Sequence, residues 1–275
     1  SEDHMDRYLG IEDYIQAKTQ VFSQTDLAVI PAGLGEKGLI CHHTTVHFCN
    51  RPNFIKSDAD YGVMEYQGER WLGHGDTPQV PVSAMKLQGS HHELNALAML
   101  ALCRPFAVAN QHFEKVLAEF AGLPHRTELV MLHNGVSWVN DSKGTNVGAT
   151  VTAIESIGEK TPGKLILIAG GVGKDADFSD LVKPVEQFCK KVILFGRDQG
   201  VISEALKAGS IETELFIDHV EDLPTAVGYA LENAEPQDCV LFSPACASFD
   251  QFKNYMHRGD VFADLVEQVC GVSRG

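Results

Sequence analysis

The second half of the chain alternates short apolar runs with helical patterns, and this alternation limits the possible folds more than any other feature. Asn134-Gly135 separates two apolar runs, 129–132 and 136–139, which predicts a hairpin with a type I′ turn. After the hairpin, the further predicted strands are 165–169, 192–195, 214–217 and 240–242, and the predicted helices are 147–157, 178–188, 201–206, 223–233 and a last one that ends near 269. This order predicts an α/β fold with a mostly parallel, doubly wound sheet and right-handed crossovers.

The first half predicts a smaller and less regular α/β region. Ser90 and Glu93 have the spacing of a capping box, so a helix is expected to begin at Ser90 and to run through Leu102. A second helix is expected over 113–121, and Gly122 with Pro124 stops it. The other predicted elements are a helix with an apolar stripe of Ile11, Tyr14, Ile15 and Phe22, strands over 26–32 and around 44–46, and a hairpin of 61–66 with 69–72. The helix stop divides the chain into two predicted domains, 1–122 and 123–275.

Charge and composition narrow the classes of partner. The formal net charge of -15 argues against nucleic acid or an anionic membrane as the main partner, although a local basic site can still bind an anionic substrate. No apolar run is long enough to span a bilayer, and no signal-peptide pattern opens the sequence. The seven Cys are scattered without metal-type spacing, which is typical of reduced thiols. We expect a cytoplasmic, monomeric globular protein.

The turn that follows the hairpin places several reactive side chains between a strand and a helix. Residues 139–146 hold the Asp141 carboxylate, the Lys143 ammonium and the hydroxyl groups of Ser142 and Thr145. In open α/β sheets, ligands bind at the carboxyl ends of strands, where this turn lies. The alternative is a polar loop that caps the next helix.

Two later strand ends also carry unusual residues. Gly170-Gly171-Val172-Gly173-Lys174 offers backbone amides and an ammonium to a carboxylate or a phosphate, or it is an ordinary tight turn. It is not a P-loop, because the leading glycine is at the wrong distance and no Ser or Thr follows Lys174. Residues 243–248 are small and would let backbone amides approach a ligand closely. Cys246 is either a nucleophile or a buried structural thiol, and we favour the thiol because no His lies near it in the sequence.

Three polar residues of the first half allow two interpretations each. Lys18 lies on the apolar stripe of the first helix, where it either extends its ammonium to water or sits at the edge of a site that lowers its pKa. His92 and Asn95 lie in the first turns of the helix that begins at Ser90. There they either face a nucleotide or are solvated.

A cluster of His42, His43 and His47 between Cys41 and Cys49 suggests a metal site. However, the residues between His43 and His47 favour a strand, in which that spacing separates the two rings too far for one ion. The cluster also lacks a ligand set of familiar spacing, so we do not favour a metal site.

Several motifs together resemble the Mur ligases. They are LPHRTE at 123–128, NDSKGTN at 140–146, Gly170-Gly171 with Lys174, and SPACASFDQF at 243–252. The last run is highly specific, whereas no shorter motif is specific alone. EDHMDRY at 2–8 and the helix of Lys18 are similar to the same family, so the resemblance covers nearly the whole chain and is weakest over 33–82.

The resemblance implies an ATP- and magnesium-dependent ligase of peptidoglycan precursor synthesis, in the branch that adds D-glutamate to UDP-N-acetylmuramoyl-L-alanine. ATP would phosphorylate the alanine carboxylate, and the D-glutamate amine would attack the acyl phosphate. Such chemistry requires cations near the transferring phosphoryl group and close positioning of two anionic substrates. The implied fold is a C-terminal Mur ligase domain preceded by a partial α/β central domain.

The resemblance also implies a role for individual residues. His4 would lie at the reaction centre and bind magnesium, as would Lys18 once carbamylated. Arg126 and Lys143 would face the ATP phosphates, Asp141 the ribose and Asn95 the adenine. The residues implied to bind D-glutamate are Thr145, Lys174, Ser248, Phe249 and the backbone near Tyr255.

The sequence departs from the family pattern in three respects. His92 stands where Asn is usual, and Tyr255 stands where Phe is common. No GxxxxGK[ST] motif is present, and no domain for a nucleotide-sugar precedes the region. We therefore expect a fragment that comprises the later part of the central domain and the whole C-terminal domain, inactive by itself. Two other interpretations remain open: a ligase similar to folylpolyglutamate synthetase, and a non-catalytic module that binds a nucleotide or an amino acid.

Overall fold

The computed structural model describes residues 10–32, 44–51, 55, 58, 60–87, 89–209 and 216–271. Contacts between Cα atoms divide the chain into two compact units, and the chain passes from one to the other between Ala121 and Gly122. They are the N-terminal unit, up to Ala121, and the C-terminal unit, from Gly122. Within the described ranges, no helix has the length and apolar character needed to cross a membrane.

The N-terminal unit is built on a five-stranded sheet whose strands lie side by side in chain order. Its elements are α1 (Ile11–Thr19), β1 (Leu27–Pro31), β2 (Thr44–Cys49), β3 (Tyr61–Tyr66), β4 (Glu69–His74), β5 (Thr77–Pro81), α2 (Ser90–Cys103) and α3 (Asn110–Glu119). The first three strands pair in parallel, and β3, β4 and β5 form an antiparallel meander. The hairpin predicted for β3 and β4 is confirmed.

Helices α2 and α3 pack in one apolar core with this sheet. Leu97 of α2, Phe113 and Leu117 of α3 and Leu72 of β4 belong to the same cluster of buried side chains. Trp71 of β4 lies edge-on to Tyr66, with 5.6 Å between the ring centroids. Strand β5 was not predicted, because Pro78 and Pro81 are unfavourable inside a sheet. Both prolines are tolerated here because β5 is an edge strand.

The capping box predicted at Ser90 and Glu93 is wrong. The N-cap residue of α2 is Gly89, and no side chain caps the helix. The Glu93 side chain is 6% exposed and pairs with Arg70 of β4, with 2.9 Å between Arg70 Nη1 and Glu93 Oε1. Because this carboxylate has a partner on the sheet, it does not turn back to the helix start.

Two substitutions distinguish the Glu93–Arg70 ion pair from a capping box of Ser90 and Glu93. We expect Ser90→Ala to change the free energy of unfolding by less than about 0.5 kcal/mol, since its hydroxyl caps nothing. Glu93→Gln should cost about 1–2 kcal/mol, because it removes a charge-assisted hydrogen bond whose arginine partner can still be solvated. Urea unfolding of both variants checks this. A loss near 1 kcal/mol for Ser90→Ala, the usual cost of a lost N-cap, would restore the capping box.

The C-terminal unit contains a six-stranded sheet with helices on both faces. Its elements are β6 (Glu128–His133), β7 (Val136–Asn140), α4 (Val147–Gly158), β8 (Leu165–Gly170), α5 (Val182–Phe188), β9 (Cys189–Phe195), α6 (Gln199–Gly209), β10 (Phe216–His219), α7 (Leu223–Asn233), β11 (Cys239–Phe242) and α8 (Tyr255–Cys270). The strand order is β10-β9-β8-β11-β7-β6, and only β6 pairs antiparallel to its neighbour. The predicted α/β fold with a doubly wound, mostly parallel sheet is confirmed.

Alternate residues of the central strands supply the two apolar layers. Leu165 and Leu167 of β8 pack on one face with Ile154, Val185 and Ile202, which come from α4, α5 and α6. Ile166 and Ile168 pack on the other face with Val227 of α7 and Phe262 of α8. Every residue of β8 and of β11 is buried. Burial on both faces explains why these strands appear in the sequence as continuous apolar runs.

The hairpin turn between β6 and β7 has the conformation that its residues predict. Asn134 and Gly135 have φ angles of 51° and 80°. Both values lie in the left-handed region that a type I′ turn requires. Strand β7 follows directly and contains the buried Trp138. The turn therefore fixes the register of the strand that leads to residues 141–146.

A candidate binding site at the carboxyl edge of the C-terminal sheet

Four loops meet at the carboxyl ends of the parallel strands. They follow β7 (141–146), β8 (171–178), β9 (196–198) and β11 (243–254). Backbone hydrogen bonds join Val172 to Ala247 in both directions at 2.9 Å. Asp198 joins the next pair of loops, since its Oδ2 accepts from Gly173 N at 2.7 Å and its own N donates to Gly171 O at 3.0 Å. The Ser243 hydroxyl in turn donates to Asp141 in the loop after β7, so the four loops form one connected rim.

The glycine-rich loop after β8 can lie in this rim only because it lacks side chains at two positions. Gly170 and Gly171 both have φ angles of 129°, in the region that favours glycine. A Cβ at Gly170 would overlap the carbonyl oxygen of Phe195, and one at Gly171 would overlap that of Ala247. Lys174 follows, exposed, with a φ of 54°. The amides of this loop are thus held close to neighbouring backbone, and the lysine points away from the core.

Asp141, at the end of β7, is a buried carboxylic acid with defined partners. Its Oδ1 accepts from Thr127 N at 3.1 Å, and its Oδ2 accepts from the Ser243 hydroxyl at 2.7 Å. Burial raises the pKa of Asp141 to about 6, against the lowering effect of these hydrogen bonds and of the Arg126 and Arg258 charges. The carboxyl group is therefore close to its titration range near neutral pH, and it can accept a hydrogen bond from a ligand hydroxyl.

Arg258 of α8 is a residue that the sequence reasoning did not single out. It is fully buried, and its guanidinium donates to Ser142 Oγ at 3.1 Å, to Ser142 O at 2.9 Å and to Cys246 O at 3.1 Å. Burial lowers its pKa to about 10, so it stays charged near neutral pH. Its planar group thus joins the loop after β7 to the loop after β11, which one fork of donors can do and a single ammonium cannot.

A second internal contact fixes the tautomer of His125. Asn140 Oδ1 accepts from Ser142 N at 3.1 Å, so its Nδ2 is the group that donates to Gly259 O at 2.9 Å. The same Nδ2 lies 3.1 Å from His125 Nδ1, which must therefore be the acceptor. The neutral ring consequently carries its proton on Nε2, 3.5 Å from Asp260 Oδ1.

Ser248, in the loop after β11, has a buried hydroxyl without a described partner. The residue is 1% exposed, and among the residues that the structure describes its Oγ makes no hydrogen bond. The next residue, Phe249, is 70% exposed. A buried hydroxyl without a partner costs free energy, so such a group at a loop rim indicates a site for a ligand acceptor.

Ser248→Ala should separate stability from binding. Replacing the unpaired hydroxyl by a hydrogen atom removes an unfavourable buried polar group, so we expect the free energy of unfolding to be unchanged or raised by about 1 kcal/mol. Thermal and urea unfolding measure this. Thr150→Val is the matched control: its hydroxyl lies 2.9 Å from Ser243 Oγ, and its loss should destabilise the chain. A destabilisation of about 1 kcal/mol or more by Ser248→Ala would mean that this hydroxyl already has a partner.

Cys246 has the properties of a structural thiol. It is fully buried, and burial raises its pKa to about 12, so it is protonated near neutral pH. Its carbonyl group accepts from Arg258. This favours the structural interpretation over the nucleophile.

The structure places the other predicted site residues of the C-terminal unit on the same rim. Lys143 and Thr145 are half-buried in the loop after β7, where Asn146 caps α4 by accepting from Ala149 N at 2.9 Å. The Lys143 Nζ lies 4.9 Å from the ring centroid of Tyr255, the first residue of α8. Arg126 is exposed in the segment before β6. The loops after β7 and β8, which lie on either side of the loop after β11, thus each carry a lysine, Lys143 and Lys174.

The predicted residues of the N-terminal unit form a separate set. Asn95 and His92 of α2 line a 230 Å³ cavity with Met85, Ala96, Met99 and Phe120 among its apolar walls. Lys18 of α1 is exposed, and its Nζ lies 5.2 Å from the Tyr14 ring centroid. Ile15, on the same predicted apolar stripe, is also 43% exposed. His4 lies outside the described residues.

Of the three clustered histidines, His47 lies within the described residues. His42 and His43 lie outside the described residues, whereas His47 of β2 has its Nδ1 3.7 Å from Asp60 Oδ1. Strand β2 includes the residues between His43 and His47 that favoured a strand. In the ranges that the structure describes, no group of three His, Cys, Asp or Glu side chains could hold a metal ion.

Comparison with known proteins gives a consistent result. A family model described as "Mur ligase, glutamate ligase domain" matches residues 125–246. The chain is 52% identical over 268 residues to the UDP-N-acetylmuramoylalanine–D-glutamate ligase of Hydrogenovibrio crunogenus, covering 98% of this chain and 58% of the relative. It is 41% identical over 273 residues to the protein of the same name from Pseudomonas aeruginosa, covering 98% of this chain and 59% of the relative. The chain thus spans somewhat more than half the length of these relatives.

Solved structures of low sequence identity share the fold. The UDP-N-acetylmuramate-alanine ligase of Thermotoga maritima is similar with a TM-score of 0.66 at 17% identity, covering 97% of this chain and 58% of that one. A bifunctional folylpolyglutamate synthase/dihydrofolate synthase from Yersinia pestis is similar with a TM-score of 0.61 at 14% identity, covering 90% of this chain and 55% of that one. Taken with the curated relatives and the family model, these matches lead to one conclusion: the chain is similar to the Mur ligases over nearly its whole length, and residues 125–246 match their glutamate ligase domain.

Proposed function

We propose that the chain is part of an ATP-dependent ligase that joins D-glutamate to UDP-N-acetylmuramoylalanine during peptidoglycan precursor synthesis in the cytoplasm. The observation that carries the proposal is the 52% identity, across 98% of the chain, to a ligase of that printed name. The connected rim at the carboxyl edge of the C-terminal sheet supports it, because this is where open α/β sheets bind ligands.

In this reaction, the terminal alanine carboxylate takes the γ-phosphoryl group of ATP. The D-glutamate amine then forms a bond to the carbonyl carbon, the C–O bond to phosphate breaks, and the amine loses its proton. We assign Arg126 and Lys143 to the phosphates, because cations stabilise the charge on a transferring phosphoryl group. We assign Asp141 to a ribose hydroxyl, since its buried carboxylate can accept a further hydrogen bond.

The acceptor amino acid would lie against the three loops after β7, β8 and β11. We assign Lys174 and Thr145 to the α-carboxylate of D-glutamate, and Ser248, Phe249 and the backbone at Tyr255 to its distal end. The unpartnered hydroxyl of Ser248 is the group that such a carboxylate would satisfy. Lys174 lies exposed beside the glycine-rich amides, free to reach an anion.

The N-terminal unit would contribute to the nucleotide and the metal. The cavity beside Asn95 has apolar walls and an amide, which suits an adenine ring. Magnesium prefers oxygen ligands. The Lys18 ammonium fits magnesium only after carbamylation, which would place carboxylate oxygens on the side chain, and His4 is the other proposed ligand.

Kinetics of the whole enzyme test the proposal. Phosphate release should require both UDP-N-acetylmuramoylalanine and D-glutamate, and L-glutamate should not replace the latter. Lys174→Ala should raise the KM for D-glutamate by about 10-fold or more while leaving that for ATP nearly unchanged, because a charge-assisted hydrogen bond contributes about 1.5–3 kcal/mol. Equal effects on both substrates would contradict the assignment of Lys174. We expect the 275-residue chain alone to give no turnover.

The same assay separates the two other candidate functions. Phosphate release that depends on a folate and L-glutamate would favour a folylpolyglutamate synthetase, whose fold this chain shares. Binding of nucleotide or D-glutamate without phosphate release by the whole protein would favour a non-catalytic module.

A further inference from the structure

The first turn of α8 is attached to the loop after β7 by three hydrogen bonds. The Ser142 hydroxyl donates to Tyr255 O at 2.8 Å. Arg258, three residues further along α8, donates to both Ser142 Oγ and Ser142 O. The backbone of Tyr255 is therefore fixed beside Lys143, which follows Ser142 directly.

The Tyr255 ring occupies the space between a histidine and a lysine. Its centroid lies 6.4 Å from that of His125, with the two planes at 79°, which is an edge-on contact. His125 is 9% exposed and is itself held by Asn140. The Lys143 ammonium lies over the Tyr255 ring at 4.9 Å, and Lys143 N donates to His125 O at 3.0 Å. His125 thus contacts both the Tyr255 ring and the backbone of Lys143, and so helps to position both residues.

The chemical character of this contact suits a lysine that must serve an anion. Within the described ranges, the structure gives the Lys143 ammonium no carboxylate partner, and the contact described for it is the neutral face of the ring. A carboxylate would hold the ammonium more tightly but would also neutralise it. An aromatic face attracts the cation and leaves its charge available. An available positive charge matters for binding an anion, because the chain as a whole has a formal net charge of -15.

We propose that Tyr255 is a positioning residue, whose ring holds the Lys143 ammonium in place for the phosphate groups of the nucleotide without neutralising it. The proposal rests on the proposed function for the phosphate role of Lys143, but the ring contact itself does not. It goes beyond the role given to Tyr255 above, which concerns its backbone alone.

The ring contact can be tested on the chain itself, without any activity. Reductive methylation with ¹³C-formaldehyde labels lysines and keeps their positive charge, and the Lys143 signal is identified by its loss in Lys143→Arg. We expect this signal to be shifted upfield by the ring current of Tyr255. Tyr255→Leu should abolish the shift, and Tyr255→Phe should restore it. Tyr229→Leu, at a 43% exposed tyrosine of α7, should leave the signal unchanged.

The positioning role is tested by kinetics of the whole enzyme. Tyr255→Leu should lower kcat/KM for ATP about fivefold, the order expected for a partly shielded cation–π contact, and should change the KM for D-glutamate much less because the backbone is unaltered. Tyr255→Phe should restore most of the loss. In a Lys143→Met background, Tyr255→Leu should have no further effect, since the two residues act through one contact.

Three results would overturn the proposal: a Lys143 signal at the position of a solvated lysine, full activity of Tyr255→Leu, or an equal loss from Tyr255→Leu with and without Lys143. Urea unfolding of Tyr255→Leu shows whether its loss of activity results from unfolding. If it does, the activity of Tyr255→Phe decides whether an aromatic ring is needed. If the unmodified enzyme releases no phosphate in a substrate-dependent way, the proposed function fails. The methyl-lysine signal still decides whether the ring holds the ammonium.

Discussion

Arg258→Met is expected to lower the free energy of unfolding of the C-terminal unit by about 3 kcal/mol. The substitution leaves the buried carbonyl groups of Ser142 and Cys246 without a donor, at roughly 1–3 kcal/mol each. Part of this is offset, because the buried guanidinium no longer has to be desolvated. The net effect remains large, since Met offers no hydrogen bond to either loop.

Arg258→Lys distinguishes the fork of donors from the charge alone. One ammonium cannot reach all three acceptors of Arg258, so we expect this variant to be destabilised by a similar amount. Arg197→Met is the control, because its side chain is 63% exposed and pairs only loosely with Asp198, at 3.5 Å. It should change stability by less than about 0.5 kcal/mol. Urea unfolding followed by circular dichroism measures all three. Full stability in Arg258→Lys would show that charge, not geometry, joins the loops.

Asp141→Asn is expected to stabilise the protein at neutral pH by up to about 3 kcal/mol, by removing an acid whose pKa rises from 3.8 to about 6 on folding. The folded state binds the proton more tightly than the unfolded state. Between pH 3.8 and about 6 it therefore holds more protons, and the contribution of Asp141 to stability falls as the pH rises. Above about pH 6, the buried charge of Asp141 lowers the free energy of unfolding by the full amount, and below pH 3.8 this destabilisation vanishes.

The measurement is the difference in the free energy of unfolding between Asp141→Asn and the unmodified chain, from pH 4 to pH 7. This difference should be small at pH 4 and should grow through the window. Asp222→Asn gives a control of opposite sign, because hydrogen bonds from the side chain and backbone of Thr225 lower the pKa of Asp222. A pH-independent difference for Asp141→Asn would contradict the raised pKa. The whole enzyme with Asp141→Asn should bind ATP more weakly, so stability and binding should change in opposite directions.

The sequence predicted the C-terminal sheet well, because its strands are buried on both faces. Strands such as β8 and β11 are continuous apolar runs, and the Asn134-Gly135 turn has only one common geometry. Other elements were harder to predict, because they depend on contacts with residues that are distant in the sequence. The predicted helix 178–188 begins as a 3₁₀ turn at Ser179–Leu181, and α5 itself starts at Val182. The predicted strand 214–217 is observed in its described part as β10, which continues to His219, whereas positions 214 and 215 lie outside the described residues.

The candidate site was predictable in its loops but not in what connects them. Small and charged residues after strands indicated where a ligand could bind. Asn140 and Gly259, by contrast, lie 119 residues apart, and no local pattern predicts their hydrogen bond. Arg258 did leave a signal: it recurs with Phe262 and Val266 every fourth residue, on the buried face of α8. An arginine in such an apolar series indicates a buried charge that needs several acceptors.

Each unit holds one of the two tryptophans of the chain, and this distribution provides two natural optical probes. Trp71 lies on β4 of the N-terminal unit, whereas Trp138 is fully buried on β7, three residues before Asp141. Replacing either indole by phenylalanine leaves the emission of the other. Fluorescence of the two single-tryptophan variants could therefore report separately on the N-terminal unit and on the strand that leads to Asp141, without any attached dye.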